Sequence, residues 1–572
     1  MLPNLLASRR GRFAAFFALY VTEGIPLGFA AIAVATQLRR LGVGPAEIGA
    51  FVGAFYLPWA FKWAFGPLVD VIRLPRLGRR RGWIIVMQLM MAATLLALMA
   101  VPLPEGLALF TAILLLHNTC GAIQDVAIDA LACNTLAEGE RGLANGLMFA
   151  GAAIGQAIGG AGVLLLMDHL GFQGSFVFVA VCILLVTTFV ALPLKEVAIE
   201  RAATAVAATG GGMAQAGREM QQFAMDAFRA FMGSRGAFAG VLFALLPAGS
   251  MALGLAMQSN LAVEFGMTDA ETGRMNLAGN VTAAVSMVIG GWLSDRLGRQ
   301  RTLLVYVCMM SLPALYLAWR LNAVGYVMPQ PPGGAPRPEL IQLLWTVVVV
   351  YNVCMGLMYG TRTAIFMDVT HPRVAATQFT AYMAMNNLAI AYSATWQGLS
   401  IEAFGYPRTL VYDAIFGLAS LLVLGAMRRP AAAASGRLTD ALAPHRARLA
   451  ATVLALACLS WLAFWPLRAA TGAAEPIIGT FYTLVFVGAA LFLLAGRAIL
   501  NGHTPPWWRG AALPLALGLL AMYARKWLDA VPEGAQVLAN ALLLATPLAA
   551  AVLLAWLARQ GWGPLRDDAD PR

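Results

Sequence analysis

The sequence predicts an all-α protein that crosses a membrane many times. It is read as two six-helix bundles related by internal duplication, followed by a C-terminal extension of two to four further membrane helices. Three observations predict this. The chain of 572 residues is 60% hydrophobic and only 12% charged, against roughly 25% charged in soluble proteins, and its mean hydropathy is +0.73. Apolar runs of bilayer length recur from end to end. The two halves also repeat short motifs in the same order.

A run of about 18 apolar residues or more is long enough to cross a bilayer, and such spans are helical because a helix satisfies its own backbone hydrogen bonds in lipid. Runs of this kind stand at 13–36, 83–101, 176–194 and 303–319. The first follows "MLPNLLASRRGRF" without a small-residue cleavage site behind it, so it is expected to remain as the first span and not to leave as a signal peptide.

Residues 1–194 are expected to form the first bundle and 238–429 the second. Between them, 195–237 carry mixed charge and a GGG, with Met220, Phe223, Ala224, Ala227, Phe228 and Phe231 at helical spacing. That pattern fits a helix lying on the membrane surface or a solvated tether. Residues 430–572 open with a linker and hold two clear spans at 449–467 and 476–494, then two weaker ones at 511–523 and 537–557.

The duplication is read from ordered matches. "PLG" at Pro26 and "PAG" at Pro247 interrupt the first span of each half. "GVGPAEIG" from Gly42 is echoed by "GMTDAETG" from Gly266, and "GPLVD" from Gly66 by "GWLSD" from Gly291. Each Gly/Asp segment leads into an arginine cluster.

The net charge of +11 and isoelectric point of 9.7 are not a nucleic-acid signal, because the basic residues follow topology. Arg9, Arg10 and Arg12, then Arg73, Arg76, Arg79, Arg80 and Arg81, then Arg296, Arg299 and Arg301 fall in every second loop. Arg39 and Arg40 are exceptions. The excess of positive charge on the cytoplasmic side of membrane proteins then places the N-terminus in the cytoplasm. The six cysteines lie within or at the ends of apolar runs with no CxxC, so neither a disulfide nor a metal framework is read. No metal and no cofactor is expected.

Ionisable groups inside apolar spans are costly, by insertion estimates roughly +2.5 to +3.5 kcal/mol, and therefore face a cavity or a partner. In "GAIQDVAIDAL", Asp125 and Asp129 lie one helical turn apart on one face of the fourth span, and Asn118 extends that face. Asp129 reads as an interfacial acid paired with the arginines between 73 and 81, or as part of a proton site. Asp125 reads as a group that holds and exchanges one proton, since burial and a neighbouring like charge favour the protonated carboxyl. Glu23, beside Gly24 and Pro26 in the first span, is a second protonation site or substrate contact, or an acid satisfied by a neighbouring span. Lys62 snorkels between Trp59 and Trp63 or pairs with one of the aspartates.

The second half offers the opposite charge. Asn352, Tyr359 and Arg362 fall on one face of the tenth span. A buried arginine suits a substrate carboxylate or phosphate, which its planar fork grips in bidentate fashion; the alternative is a salt bridge to Asp125 or Asp129. Gln378, Tyr382 and Asn386 repeat every fourth residue along the eleventh span, as donors for a sugar or peptide or as bonds between helices. In the fifth span Gly151, Gly155, Gly159 and Gly160 are read as close packing.

"GPLVDVIRLPRLGRRRGW" and "GGWLSDRLGRQR" resemble the loop signature of the major facilitator superfamily, in matching places of the two halves. Within it, "FKWAFGPLVD", "LGRRRGW", "QDVAIDAL" and "ATQFTAYMAMNNL" are similar to the AmpG-type muropeptide permeases and their acetyl-CoA-transporter-like and siderophore-importer-like relatives, over residues 13–429. The resemblance implies alternating access around a midplane site. Gly66 and Gly291 would let helices approach closely, while Asp70 and Asp295 would anchor Arg73, Arg296 and Arg299 or cap the neighbouring helix. This set is expected to gate the cytoplasmic end, or simply to anchor the loops.

Enzyme readings have little to stand on. Lys62, Lys195 and Lys526 all lack the GxxxxGK[ST] context, and neither HExxH nor GxSxG occurs. What remains open is an acyltransferase or hydrolase using His117 with Asp125, or a receptor that does not transport. The expectation is a proton-driven secondary transporter of the bacterial inner membrane, a monomer, importing a small periplasmic solute. An anhydro-muropeptide leads, with a siderophore or an acyl-CoA-like metabolite as alternatives. Its partners are the small-molecule substrate, protons and the lipid bilayer, with no nucleic acid.

Overall fold

A computed structural model describes the backbone of residues 4–71, 78, 80–136, 141–196, 235–369, 375–427, 444–494, 505–522 and 533–559. Within these, some side chains, including those of Trp63, Asp70 and Gln378, lie outside the described residues. The described residues are helical with no β-strand.

Among the described residues ten helical stretches, the tail included, are long and apolar enough to cross a membrane, and the helices follow the predicted order of spans. The first is Arg9–Arg40 and the second Pro45–Ala60, extended by short helices at Lys62–Phe65 and Gly66–Val71. The third is Arg80–Leu98 and the fourth Leu107–Thr135. The fifth and sixth run together from Arg141 to Ala191, separated at Gly171, whose φ of 64° and ψ of 170° break the helix. The seventh is split into Arg235–Leu245 and Ala256–Glu264. Then come Asp269–Leu297, Arg299–Ala323, Pro338–Val369, Ala375–Phe404, and a twelfth span of Tyr406–Leu418 and Leu421–Leu424. Four tail helices follow: Pro444–Leu467, Glu475–Leu494, the shorter Pro506–Ala521 and Glu533–Arg559.

The chain forms two compact units. One comprises Met1–Met220, Phe243–Phe366 and Thr380–Gly425; the other Gln221–Leu242, Met367–Phe379 and Ala426–Arg572. The second has its own core, in which Trp461 is fully buried, donates from Nε1 to the Leu543 carbonyl at 2.9 Å, and meets Phe464, Trp465, Tyr482 and Phe486.

In the first unit the glycines of the fifth span do pack closely. A Cβ at Gly155 would lie 2.3 Å from the Val21 carbonyl, and one at Gly24 would lie 1.9 Å from the Ala152 carbonyl. The two backbones are therefore in contact, as small residues permit where lipid offers no hydrophobic drive between helices. Gly155→Ala should cost about 1–3 kcal/mol through overpacking, measured as a lower unfolding temperature in detergent. An unchanged temperature would remove the close-packing role.

The two prolines at the repeat differ. Pro26 does not interrupt its span: the helix continues past it to Gly28 and on into a π-helical stretch, Phe29–Val34. Pro247 does sit in a true break, where Gly249 has φ +84° and a Cβ at Gly417 of the twelfth span would lie 2.2 Å from Gly249.

Candidate substrate and proton site

The fourth span brings its two aspartates to different partners. Lys62 Nζ lies 2.8 Å from Asp125 Oδ2, with side-chain exposures of 15% and 4%. The lysine thus pairs with Asp125 and does not simply snorkel: it stands in a turn at the end of the second span, facing the buried carboxylate. Tyr20 OH donates to Asp129 Oδ1 at 2.5 Å, so the described partner of Asp129 is a first-span phenol. Arg73 lies outside the described residues.

Glu23 sits one turn beyond Tyr20 on the first span. It is buried, with Oε1 unbonded, and it stands near enough to Asp125, Asp129 and Lys62 to feel their charge. Three carboxyl groups and one ammonium are thus gathered between the first, second and fourth spans. A buried network runs alongside: Gln88 and Gln124 both donate to Thr22 Oγ1, at 3.2 and 2.8 Å, and Thr187 donates to Gln88 Oε1 at 2.8 Å. His117 turns elsewhere, its Nδ1 lying 2.9 Å from Thr94 Oγ1 and 3.1 Å from the Met91 carbonyl of the third span. The His117–Asp125 pairing of the enzyme reading is not formed, because each group is committed to another helix.

In the second half, Arg362 is 3% exposed, its Nε has no hydrogen-bond partner, and no carboxylate pairs with it among the described residues. Its guanidinium stands 5.2 Å from the centroid of the Tyr359 ring, one turn back on the same helix. Neither aspartate bridges to it; Asp125 is held by Lys62 instead. Tyr359 is close enough to Tyr56 of the second span for the two to interact electrostatically.

The other predicted residues divide. Asn118 is buried with Nδ2 unbonded, and Asn386 is buried with Oδ1 unbonded. Asn352 donates to its own helix at Val348 O, 2.9 Å, and lies against Gly279. Tyr382 is fully buried, its ring stacked on Phe366 at 4.9 Å. The side chain of Gln378 lies outside the described residues.

The loop signature also divides. Asp295 pairs with Arg299 at 2.8 Å, within the second half and partly exposed, and Arg296 stacks on Trp292 at 4.0 Å. The side chain of Asp70 lies outside the described residues. The close-approach reading of Gly66 and Gly291 is corrected: among the described residues a Cβ at either meets nothing within 4 Å, and the tight helix contacts are made by other glycines.

Sequence reasoning passed over Tyr20 and Asn260, and read Trp59 only as a flank of Lys62. Trp59 Nε1 and both amide atoms of Asn260 are buried without partners. Tyr20 was signalled by its place one turn before Glu23, and Asn260 by the polar run "QSNLAVE" inside an apolar span.

Twelve helical spans in a duplicated order, with buried charges gathered inside the helices, define a membrane carrier. The chain belongs to the Major Facilitator Superfamily, whose sequence pattern matches residues 12–394, and it is a multi-pass membrane transporter of small molecules. Over 423 residues it is 24% identical to the anhydromuropeptide permease of Escherichia coli (strain K12), covering 72% of this chain and 79% of that protein. Its fold is similar to that of the nucleoside transporter NupG, with TM-score 0.54, 15% identity and coverage of 73% of this chain and 99% of that one. A D-xylose-proton symporter gives TM-score 0.54 at 11% identity, over 72% and 97%.

Proposed function

We propose that the chain imports an anhydromuropeptide across the bacterial inner membrane in symport with protons, as a monomer with its N-terminus in the cytoplasm. Residues 1–194 and 238–429 act as the two moving bundles, joined by 195–237, and 430–572 are an added helical unit. The observation that supports the coupling is the gathering of three buried carboxyl groups, Glu23, Asp125 and Asp129, about the one ammonium of Lys62. With a single Lys62 beside three acids, protonation is the remaining way to relieve like charge in a buried place. Asp125, Asp129 and Glu23 are thus the proton-coupling groups.

The substrate class rests on the likeness to the anhydromuropeptide permease and on the chemistry opposite the acids. Such a solute carries peptide carboxylates and sugar hydroxyls. Arg362, over Tyr359, suits the carboxylate, while Asn118, Asn352, Asn386, Gln378 and Tyr382 supply amide and hydroxyl groups. The Gly66, Asp70, Arg73 segment and its counterpart Asp295, Arg296, Arg299 open and close the cytoplasmic end.

The test is uptake of labelled anhydromuropeptide into proteoliposomes holding the full chain, under an imposed inside-alkaline pH gradient. Accumulation should exceed equilibrium and collapse with a protonophore. Uptake indifferent to the gradient would remove the proton from the mechanism, and absence of any binding would remove the substrate.

A further inference from the structure

We infer that Thr22 is a positioning residue of the proton site: its hydroxyl ties the first span to the third and fourth, and so sets the spacing between Glu23 and Asp125. The inference rests on the proposed proton coupling and adds to it a residue that does not itself titrate. The first span is weakest where Glu23 stands. Pro26 has no N–H, so the carbonyl of Thr22, four residues back, is denied its helical donor, and Gly24 is a poor helix former. The fifth span supports one side of this stretch by backbone contact: a Cβ at Gly24 would lie 1.9 Å from the Ala152 carbonyl, and one at Gly28 2.0 Å from the Gln156 carbonyl. Hydrogen bonds support the other. Thr22 is fully buried, as are Gln88 and Gln124. Its Oγ1 accepts from Gln124 Nε2 at 2.8 Å and from Gln88 Nε2 at 3.2 Å, and donates to the Leu19 carbonyl at 2.6 Å. One hydroxyl thus uses its donor and both acceptor positions. Gln88 passes the tie on, since its Oε1 accepts from Thr187 of the sixth span at 2.8 Å.

The tie stands beside the acids on both helices. Thr22 precedes Glu23 in the first span, and Gln124 precedes Asp125 in the fourth. A second tie, from Tyr20 OH to Asp129 Oδ1 at 2.5 Å, joins the same two helices. Two ties between two helices fix both their slide and their rotation, so Glu23 meets Asp125 at one separation. The groups whose charge acts on Glu23 are Asp125 and Asp129 of the fourth span and Lys62 at the end of the second, with Tyr20 on its own helix. The third, fifth and sixth spans contribute Gln88, Ala152 and Thr187 here, all uncharged. Charge–charge energy falls inversely with separation and is large where water is excluded. A small shift of the first span therefore alters how firmly the site holds its proton.

Packing alone does not account for this network. Among the described residues Gln124 Oε1 and Glu23 Oε1 are buried without a donor. Apolar side chains of the same shape would serve stability as well as a buried polar network left incomplete. Both open atoms are acceptors, whereas a neutral carboxyl is a donor. A proton entering the site supplies a donor where the empty state lacks one.

The experiment uses the full chain in proteoliposomes and compares accumulation of labelled anhydromuropeptide under a pH gradient with its exchange across the membrane when no gradient is imposed. Thr22→Val keeps the shape and removes the hydroxyl. It should lower accumulation at least tenfold, leave exchange within twofold of the parent, and move the midpoint of the pH–uptake curve by at least one pH unit. Thr22→Ser, which restores the hydroxyl, should return accumulation and midpoint to the parental values. A residue that only packs would lower accumulation and exchange together and leave the midpoint in place. That result, or parental accumulation in a folded Thr22→Val protein, overturns the inference while the proton coupling stands. Should Thr22→Val fail to fold because two amides are stranded, Thr22→Ala decides by the same criteria, since the space it opens admits a water to take both donors. A parent that does not accumulate under the gradient removes the proton coupling itself, and the inference with it.

Discussion

Asp125→Asn should reduce pH-gradient-driven accumulation to background, a loss of a hundredfold or more. The substitution removes the carboxyl that pairs with Lys62 at 2.8 Å, and with it the group proposed to exchange the proton. It also strands Lys62. Removing one partner of a buried pair costs roughly 3–5 kcal/mol, so the variant is expected to be less stable as well as inactive. Lys62→Gln with Asp125→Asn separates the two effects: stability should return while gradient-driven uptake stays absent. Glu23→Gln, which leaves the ion pair intact, should also lose accumulation but keep substrate exchange. Uptake at the wild-type level in folded Asp125→Asn would end the proton-carrier role.

How much of this was legible in the sequence follows from what each signal measures. Span order came from apolar length, a property of the chain alone, and the acids stood out because charge is rare in those spans. Partners did not, since pairing is a distance between helices. Lys62 could be read as snorkelling or as a bridge until the turn at Lys62–Phe65 aimed it at Asp125. Arg39 and Arg40 looked like lapses in the loop-charge rule because Glu264 and Asp269, more than two hundred residues away in sequence, are what balance them.

Repeats were informative about ancestry and misleading about local geometry. Pro26 and Pro247 match in position, yet one lies in a continuous helix and the other in a break, because only the second has Gly249 at φ +84° and an aspartate to satisfy the freed backbone. Gly66 was read from its motif as a contact point, while the contacts that tolerate no Cβ include those at Gly24, Gly155 and Gly417. A glycine shows where a close approach is permitted. Only the neighbouring helix shows whether it is made.

Arg362 carries the second large effect, because it sets stability against binding. A buried guanidinium without a carboxylate is expensive, and nothing described in the protein compensates it beyond the Tyr359 ring at 5.2 Å. A substrate carboxylate supplies what is missing. Arg362→Lys keeps the charge but loses the planar fork, and affinity should fall more than tenfold, about 1.4 kcal/mol, in equilibrium binding to the purified protein. Arg362→Met removes the charge and fills the same space with an apolar stem; it should raise the unfolding temperature of the empty protein while binding disappears. Gain of stability with loss of function is the pattern of a group kept for its ligand. The opposite pattern, a less stable Arg362→Met protein that still binds anionic solute, would show that Arg362 holds the fold, and the substrate anion would have to be sought elsewhere along the second bundle.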